Sequence, residues 1–363
     1  MSQEKIKAAL EGQRAKIAMF ADGYVDEVWE IVKSRTSRYD YTLYGQMTQF
    51  AERIISSGTG GVGLELVKKR RAFGGFTANI GYAAARLGVD TTMVGVYGKE
   101  NLDPIFEPVQ DICKVISMGD PAITHVFEFE DGKILMSHME AVQDVDWKKI
   151  VDTLGMEKLL EMVTGSDLLG VGYWSNLPAF DEILTQLCEI LPQENKSRFF
   201  FDFADFLKKD QSTLLHTLGI LKSLNSKAPM TLSVNEHEAA ALFAMYNETL
   251  DEKGRPISEK AEYVRTQLGL DEFVVHTPQY AVAAACGEEA ALVNNRFCEK
   301  PIRSAGAGDT FNGGYIAARL AGLGIVERLR VANAAVSYFL RNAQFPCLGD
   351  MLGQMAEDEG YMA

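Results

Sequence analysis

Short apolar segments alternate with segments of helical periodicity along most of this chain, and this alternation limits the folds that it can adopt. The apolar segments have the length of buried strands and lie at residues 17–20, 92–96, 168–171, 199–202, 230–234 and 273–275. Apolar residues recur at helical spacing between them, as in residues 77–87, 179–191 and 258–268. Strands that alternate with helices usually pair in parallel, with the helices on both faces of the sheet. The sequence therefore predicts an α/β fold with a mainly parallel sheet flanked by helices.

One segment departs from this alternation. Residues 123–130 and 133–136 are rich in apolar residues and are separated by Asp131 and Gly132, a pair typical of a β-hairpin turn. The hairpin is either an appendage over an active site or an ordinary edge hairpin. No linker, repeat or low-complexity segment divides the chain, so we expect a single domain over residues 1–363.

The composition is typical of a globular enzyme. The formal net charge is −14 and there is no basic block, which argues against nucleic acid and anionic membrane surfaces as partners. The sequence contains no apolar run of about 18 residues, the length that a membrane-spanning helix needs. Five cysteines are scattered along the chain without a CxxC pair, as expected for thiols in a reduced compartment. These features predict a cytoplasmic protein.

A glycine-rich turn, SAGAGD at residues 304–309, leads directly into a segment with helical spacing. Small residues let a ligand approach the backbone closely, and the first turn of a helix offers free N–H groups and the positive end of its dipole. Such a concavity suits a phosphate or a developing anion. Asp309 lies where the turn becomes the helix, so it can either cap the N–H groups or take a proton from a substrate hydroxyl.

Two further motifs allow both a structural and a functional interpretation. Gly74 and Gly75 precede a predicted helix that contains Asn79, and a glycine pair before a helix is more often a tight turn than a binding site. Asn235 and Glu238 directly follow an apolar segment. There they can form a helix cap, or they can help to organise Mg²⁺, which prefers hard oxygen ligands.

Together these motifs resemble those of the ribokinase-like carbohydrate kinases, the PfkB family. The residues GAGD at 306–309 followed by TFNGG, the GG-x-x-x-N spacing of residues 74–79 and the N-x-x-E motif of residues 235–238 occur in the order found in that family. The resemblance covers residues 17–342. It implies a ribokinase-like three-layer fold with a small β lid, formed approximately by residues 24–72 and 122–138, and it suggests a homodimer through the lid.

The resemblance also implies an activity and a set of site residues. The protein is expected to transfer the γ-phosphoryl group of ATP to a hydroxyl of a sugar or sugar-like substrate, with Asp309 as the general base. The backbone of Gly306, Ala307 and Gly308 is expected to stabilise charge on the transferring phosphoryl group. The residues expected to bind the sugar are Asp26, Gly74, Gly75 and Asn79. Asp22 competes with Asp26 for this role.

For the nucleotide, the resemblance assigns a second set of residues. Those expected to bind ATP or its phosphates are Asn235, Glu238, Thr277 and Asn333. Glu238 is also expected to hold Mg²⁺ through water. Asp202 and Asp205 follow a predicted strand and are expected to be structural or to support the phosphate site.

Three other activities are compatible with these motifs. They are an ADP-dependent sugar kinase of the same fold, a nucleoside kinase, and a non-catalytic protein that senses a sugar or a nucleotide. The intact Asp309 argues against the sensor, because a sensor needs no base. Arg303 departs from the family pattern, since the family commonly has an acid there that helps to hold an activating K⁺ ion. A permanently charged guanidinium cannot replace that acid, so potassium dependence does not carry over.

Overall fold

The strands of the protein were defined in a computed structural model that describes residues 1–194, 196–246 and 255–362. In chain order they are β1 (Lys16–Phe20), β2 (Tyr24–Arg35), β3 (Tyr41–Leu43), β4 (Glu65–Gly74), β5 (Asp90–Gly95), β6 (Cys113–Ser117), β7 (Ala122–Phe129), β8 (Gly132–His138), β9 (Leu168–Val171), β10 (Arg198–Asp202), β11 (Met230–Asn235), β12 (Glu272–His276), β13 (Tyr280–Ala285) and β14 (Ala291–Asn294).

The helices of the same described ranges lie between and after these strands. They are α1 (Gln3–Gly12), α2 (Met47–Ile55), α3 (Phe76–Arg86), α4 (Glu140–Gln143), α5 (Trp147–Leu154), α6 (Met156–Thr164), α7 (Phe180–Ile190), α8 (Gln211–Leu224), α9 (Glu236–Met245), α10 (Ile257–Leu268), α11 (Ala307–Leu320), α12 (Ile325–Asn342) and α13 (Leu348–Met362). Two 3₁₀ helices span Pro104–Asp111 and Phe206–Lys208.

A nine-stranded sheet forms the body of the protein, in the order β14-β13-β12-β11-β10-β9-β1-β5-β6. The strands from β12 through β6 pair in parallel, whereas β13 and β14 add an antiparallel edge. Helices cover both faces, because successive side chains of each strand point to opposite sides. Ile17 and Met19 pack with α1, α3 and α11 to α13, while Ala18 and Phe20 pack with α4 to α10. The predicted α/β fold is therefore confirmed.

A smaller five-stranded sheet, which we call the lid, projects from the body. Its order is β3-β2-β7-β8, and β4 pairs with β2. The Asp131–Gly132 turn joins β7 to β8 as an antiparallel hairpin, as the sequence predicted. The register pairs Asp26 with Thr124 and Glu128 with Lys133, so these four residues share one face of the lid. The charged side chains on this face contribute to the candidate site described below.

Two predictions from composition can also be compared with the structure. No helix in the described ranges is long and apolar enough to cross a membrane. All five cysteines carry free thiols, and Cys113 and Cys188 are buried whereas Cys286 is exposed.

Candidate active site

Polar side chains gather where the parallel strands of the large sheet end. Asp22 follows β1, Tyr173 follows β9, and Asp202, Asn235 and His276 are the last residues of β10, β11 and β12. Parallel strands place their carboxyl ends at one edge of a sheet, and ligands of open α/β sheets bind outside this edge. Residues far apart in the chain are thereby brought to one site.

Asp309 lies at the centre of this edge, in the first turn of α11. The carboxylate is buried, and Asn79 Nδ2 donates a hydrogen bond of 2.7 Å to its Oδ2 atom. The Tyr173 hydroxyl donates to the other oxygen, Oδ1. The N-cap of α11 is Gly306, and no side chain caps this helix. Asp309 therefore does not act as a helix cap, and its carboxylate faces the sugar-site residues predicted from the sequence.

Opposing influences set the proton affinity of Asp309. Burial raises the pKa of Asp309 to about 6. Hydrogen bonds from Tyr173 and Asn79 lower this pKa, and so do the positive charges of Arg303 and Lys133. A carboxylate with a pKa slightly below neutral is ionised at pH 7 yet still basic enough to accept a proton in a transition state. This combination suits a general base.

The turn before α11 brings backbone close to neighbouring side chains. Gly306 adopts φ +89°, a left-handed conformation that glycine tolerates best. A Cβ atom on Gly308 would lie 3.1 Å from His276 Cε1, so a larger residue would be crowded there. The N–H groups of Ala307, Gly308 and Asp309 lie in the first helical turn, whose N–H groups lack partners inside the helix. Ala307 N donates weakly back to Ser304 O at 3.2 Å.

The two candidate aspartates after β1 have different surroundings. Asp22 is fully buried and accepts hydrogen bonds of 2.8 Å from the backbone N–H groups of both Phe76 and Thr77, at the start of α3. Burial raises the pKa of Asp22 to about 7. Asp26 lies on β2 with its carboxylate against the backbone of Gly74, where an added Cβ would come within 2.8 Å of Asp26 Oδ2. Asp22 thus anchors a helix, whereas Asp26 is the aspartate that faces the lid charges.

Asp26 is surrounded by charges from both the lid and the body. Burial raises its pKa to about 6, while Arg303 lowers it, Asp309 raises it, and Lys133 and Arg70 lower it. Arg70 is paired with Glu128 by a hydrogen bond of 2.7 Å on the same lid face. The lid and the start of α11 therefore contribute to one charged site.

Arg303 points into this site rather than toward solvent. Its guanidinium carbon lies 5.0 Å from the ring centre of Phe339 and 5.8 Å from that of Phe345, and its Nε donates to Ala305 O at 3.0 Å. Burial lowers the pKa of Arg303, and the charge of Asp26 opposes this shift. A stacked guanidinium held in this way is a fixed positive charge beside Asp26 and Asp309.

Gly75 and Asn79 shape the floor of the site at the start of α3. Gly75 has φ +95° and is the N-cap of the helix, and an added Cβ would lie 2.7 Å from the Tyr24 ring. Asn79 is buried, and its Oδ1 has no hydrogen-bond partner among the described residues. A buried acceptor of this kind is suited to a substrate hydroxyl.

The Asn235–Glu238 motif forms a capping box at the start of α9. Glu238 N donates to Asn235 Oδ1 at 3.0 Å, and Asn235 N donates to Glu238 Oε2 at 2.8 Å. Glu238 Oε1 accepts a further bond of 2.6 Å from Asp205 N. The structural interpretation of this motif is therefore correct at the local level, and it leaves Glu238 buried at the edge of the sheet.

Asp202 and Glu238 form a pair of buried carboxylates. Asn312 Nδ2 donates to Asp202 at 2.8 Å and Ser233 donates to Asn312 at 2.7 Å, which fixes the orientation of the aspartate. Burial, followed by repulsion from Glu238 and Asp309, holds the pKa of Asp202 well above its usual range. Within the described ranges, no group of three or more His, Cys, Asp or Glu residues could hold a metal ion.

A cavity of about 390 Å³ opens beside the turn. The polar end of the cavity lies near Gly308 and the ends of β11 and β12. Apolar side chains form much of the remaining wall, namely those of Pro278, Phe297, Pro301, Phe311, Val336 and Leu340. A pocket with a mostly apolar wall and a few polar groups is typical of a small-molecule site.

Two residues predicted to bind the nucleotide, Thr277 and Asn333, form hydrogen bonds within the protein. Thr277 lines the cavity, but its Oγ1 accepts from Gln279 N and Tyr280 N and donates to Tyr280 O, which closes the turn between β12 and β13. Asn333 is not among the lining residues; its Nδ2 contacts the carbonyls of Val293 and Asn294 at 3.4 Å. The cavity meets α12 at Val336 and Leu340 instead.

Sequence reasoning missed three groups that the fold brings to the site. Tyr173 contacts Asp309 although 136 positions separate them, and no motif surrounds it. Lys133 follows the predicted hairpin turn, and alternation with Glu128 could have placed it on the charged face of the lid. His276 directly follows the predicted strand at residues 273–275 and was not proposed as a site residue.

The large sheet, the lid and the edge of polar residues together define the fold of the ribokinase-like sugar kinases. Phosphofructokinase-2 from Escherichia coli, in a structure with substrates and products, aligns with a TM-score of 0.64 and 16% identity over 95% of this chain and 99% of that chain. Ribokinase from Arabidopsis thaliana, in a structure with ribose and ATP, aligns with a TM-score of 0.65 and 18% identity. The alignment covers 94% of this chain and 99% of that chain. These similarities confirm the predicted fold class.

The sequence itself identifies the family. The sequence model of the prokaryotic ketohexokinase family matches residues 1–357, so the chain belongs to this family. The ketohexokinase of Haloferax volcanii is 27% identical over 359 residues, which cover 96% of this chain and 92% of that protein. The predicted membership of the ribokinase-like carbohydrate kinases is therefore confirmed, and the protein is a carbohydrate kinase.

Proposed function

We propose that this kinase transfers the γ-phosphoryl group of ATP to a hydroxyl of a ketohexose, with Asp309 as the general base. The family and the ketohexokinase relative support the substrate class. The observation that carries the proposal is the buried Asp309 carboxylate, held between Asn79 and Tyr173 at the start of α11. A base in this position lies beside the N–H groups that favour a transferring phosphoryl group.

The sugar binds between the lid and the start of α3. Asp26 and the free Oδ1 of Asn79 accept hydrogen bonds from its hydroxyls, while Arg303 and Lys133 donate to its oxygens. The lid face that bears Asp26 and Lys133 covers the sugar and excludes water. Exclusion of water limits transfer of the phosphoryl group to water and strengthens each polar contact.

The chemical step needs one proton acceptor and one anion site. Asp309 takes the proton of the attacking sugar hydroxyl while the oxygen of that hydroxyl bonds to the γ-phosphorus. The bond between the γ-phosphorus and the bridging oxygen of ADP breaks in line with the new bond. The N–H groups of Gly308 and Ala307 stabilise the charge of the transferring group. Arg303 keeps Asp309 ionised before the proton moves.

The nucleotide occupies the cavity beside the turn. Its volume of about 390 Å³ and its apolar wall, which includes Phe297 and Leu340, suit the flat base of ATP. Phosphates then extend toward Gly308 at the polar end. Asn235 borders this end and positions Glu238 through the capping box.

Mg²⁺ fits the same edge of the sheet. The donors are the hard oxygens of Asp202 and Glu238, two buried carboxylates at the carboxyl ends of the parallel strands. A hydrated Mg²⁺ ion there would neutralise charge on the phosphates of ATP. Glu238 is the residue that we expect to hold its water.

Phosphoryl-transfer assays test the proposal. The acceptors are fructose, a second ketohexose, ribose, fructose 6-phosphate and a nucleoside, and the donors are ATP and ADP, each with Mg²⁺ or with a chelator. We expect transfer from ATP to a free ketohexose that requires Mg²⁺. Preference for ADP, or for a nucleoside, would support one of the other kinases, and binding without transfer would support a sensor.

Asp309→Asn should lower kcat by about 10²- to 10⁴-fold because the base is lost. Nucleotide affinity should remain nearly unchanged, since the N–H groups of the turn are retained. Asp358→Asn is the matched control, because Asp358 is a buried carboxylate on α13 whose hydrogen-bond partners are Gln354 and Arg296 and not residues of the candidate site. If Asp309→Asn keeps more than about a tenth of wild-type kcat, the role of Asp309 as base is wrong.

We further propose that the protein is cytoplasmic and forms a homodimer through the lid. Its five free thiols support a reduced compartment. The lid exposes Ile123 and Met136, with 36% and 54% of their surface accessible, on the face opposite to Asp26. Exposed apolar side chains on one face of a sheet are suited to contact with a second copy.

A further inference from the structure

His276 has a buried polar atom that the protein itself does not satisfy. It is the last residue of β12 and lines the cavity. Its Nε2 atom is buried without a hydrogen-bond partner among the residues that the structure describes. Buried polar atoms are nearly always paired, because an unpaired atom loses its hydrogen bonds to water and gains none in return. An unpaired atom in a cavity wall therefore indicates a ligand.

The His276 ring is held against the turn that precedes α11. A Cβ atom on Gly308 would lie 3.1 Å from His276 Cε1, 3.6 Å from Nε2 and 3.9 Å from Nδ1. The Cε1–Nε2 edge of the ring therefore faces Gly308, in the space that glycine leaves by having no side chain. Phe311, one turn along α11, contacts the ring with centroids 5.2 Å apart. These contacts fix the ring beside the backbone N–H groups of the first helical turn.

Two polar side chains that were assigned to the nucleotide from the sequence form hydrogen bonds within the protein. Asn235 caps α9 through its Oδ1 atom, and Thr277 closes the turn after β12. Burial also lowers the pKa of His276 to about 4, so its ring is neutral at pH 7 and carries one N–H donor and one acceptor. A neutral ring can offer a hydrogen bond to an anion without introducing a charge.

We propose that His276 binds the nucleotide directly, by donating a hydrogen bond from its Nε2–H group to a phosphate oxygen beside the Gly308 turn. The inference rests on the proposed function, because it requires a nucleoside triphosphate in this cavity. His276 thereby extends the anion site from the backbone of α11 to the end of β12. It selects nucleotides by their phosphates and leaves recognition of the base to the apolar wall.

Binding measurements on two variants test this role. Calorimetry would compare a non-hydrolysable ATP analogue, AMP and adenosine, each with Mg²⁺, on the wild type, His276→Gln and His276→Met. Glutamine keeps an N–H donor near the position of Nε2, whereas methionine fills the space without one. We expect His276→Met to lose about 10- to 100-fold in affinity for the ATP analogue, the usual range for one hydrogen bond to a charged group. His276→Gln should stay within about threefold of the wild type, and adenosine should bind all three proteins alike.

The matched control is Leu340→Ala, which enlarges the apolar wall of the same cavity and removes no polar atom. It should weaken the ATP analogue, AMP and adenosine by similar factors. Equal losses for all three ligands in His276→Met, or failure of His276→Gln to restore binding in a folded protein, would show that His276 only packs and would overturn the inference.

Nuclear magnetic resonance of the wild type gives a readout that does not depend on a folded variant. The His276 ring should be neutral with a protonated Nε2 at pH 7, and the Nε2–H resonance should shift when the ATP analogue binds but not when adenosine binds. An unchanged resonance on binding of the analogue contradicts the inference alone. If the wild type neither binds the analogue nor transfers phosphoryl groups to a ketohexose, the proposed function fails, and the role of His276 fails with it.

Discussion

At the scale of single residues, the site combines a buried carboxylate with a fixed positive charge. Desolvation disfavours the ionised form of Asp309, and the nearby guanidinium of Arg303 favours it. The same guanidinium acts on Asp26, for which it is the strongest of the charges that lower the pKa. Arg303, which is stacked on Phe339, therefore influences both the proposed base and the aspartate that is proposed to bind the sugar.

The pH dependence of turnover should report this arrangement. Asp309 must be ionised to accept a proton, and its pKa is about 6, so kcat/KM of the wild type should fall as the pH drops through about 6. Arg303→Met removes a charge that favours the ionised form, so the pKa should rise and the acid limb should move to higher pH, by roughly one unit. Rate profiles from acid to neutral pH measure the shift.

Arg330→Met serves as the control, because Arg330 pairs with Glu359 on the outer surface of α12. Its profile should match that of the wild type. An acid limb that stays in place or moves to lower pH in Arg303→Met would mean that the guanidinium does not act on the base.

At the scale of elements, the start of α3 is the junction on which the sugar side of the site is built. Asp22, just after β1, accepts the N–H groups of Phe76 and Thr77, and Asn79 then lies one turn into the helix with its side chain against Asp309. One buried aspartate thus holds the start of the helix whose Asn79 contacts Asp309, the proposed base.

Loss of this anchor should be costly. Asp22→Ala leaves two buried N–H groups without partners, so we expect the free energy of unfolding to fall by about 2–4 kcal/mol. Asp210→Ala is the control, because Asp210 caps α8 at the surface, and its loss should lower the free energy of unfolding less than the loss of Asp22 does. Chemical denaturation of both variants measures the difference, and equal losses would show that Asp22 is an ordinary cap.

The same residue gives stability a pH dependence. The folded pKa of Asp22, about 7, lies above its ordinary value of 3.8, so the folded protein binds a proton that the unfolded chain releases between these values. Its contribution to stability is therefore present at low pH and is lost as the pH rises through about 7. The stability of Asp22→Asn relative to the wild type should consequently improve from about pH 5 to about pH 8.

Strands were predictable wherever an apolar run ended at a polar or glycine residue. The strand β9 was placed at its observed bounds, and β1 and β10 to within one residue. The strand β13 was not predicted, because four of its six residues are alanine, which has little preference for strands. The position of β13 depends on its antiparallel pairing with β12, for example of Ala285 with Glu272. The local sequence of β13 does not reveal this pairing.

Residues of the candidate site were proposed from the sequence only where they belong to a recognisable motif. Asp309 and Asn79 were proposed from two separate motifs, and the fold brings them into contact across 230 positions. Tyr173 follows a strand without any motif, so only the three-dimensional arrangement connects it with Asp309. The choice between Asp22 and Asp26 likewise depended on which carboxylate the backbone of α3 engages.

At the scale of the whole molecule, the lid has two different faces. One face carries Asp26, Glu128 and Lys133 toward the site. The opposite face exposes Ile123 and Met136, and β8 is an edge strand of the lid sheet. Edge strands with exposed apolar side chains tend to pair with another chain unless they are covered. A second copy of the protein that packs there would hold the lid against the body and so favour the closed site.

The oligomeric state tests this role of the lid. Light scattering during size-exclusion chromatography should give a dimer for the wild type and a monomer for Met136→Lys, because a charge in the apolar contact would have to be buried. The affinity for ketohexose should also fall in the monomer, since the lid face that bears Asp26 would be less restrained. Leu215→Lys is the control, because Leu215 is 48% exposed on α8 of the body, and this variant should remain a dimer. A monomeric wild type with full affinity for the sugar would show that the lid closes without a partner.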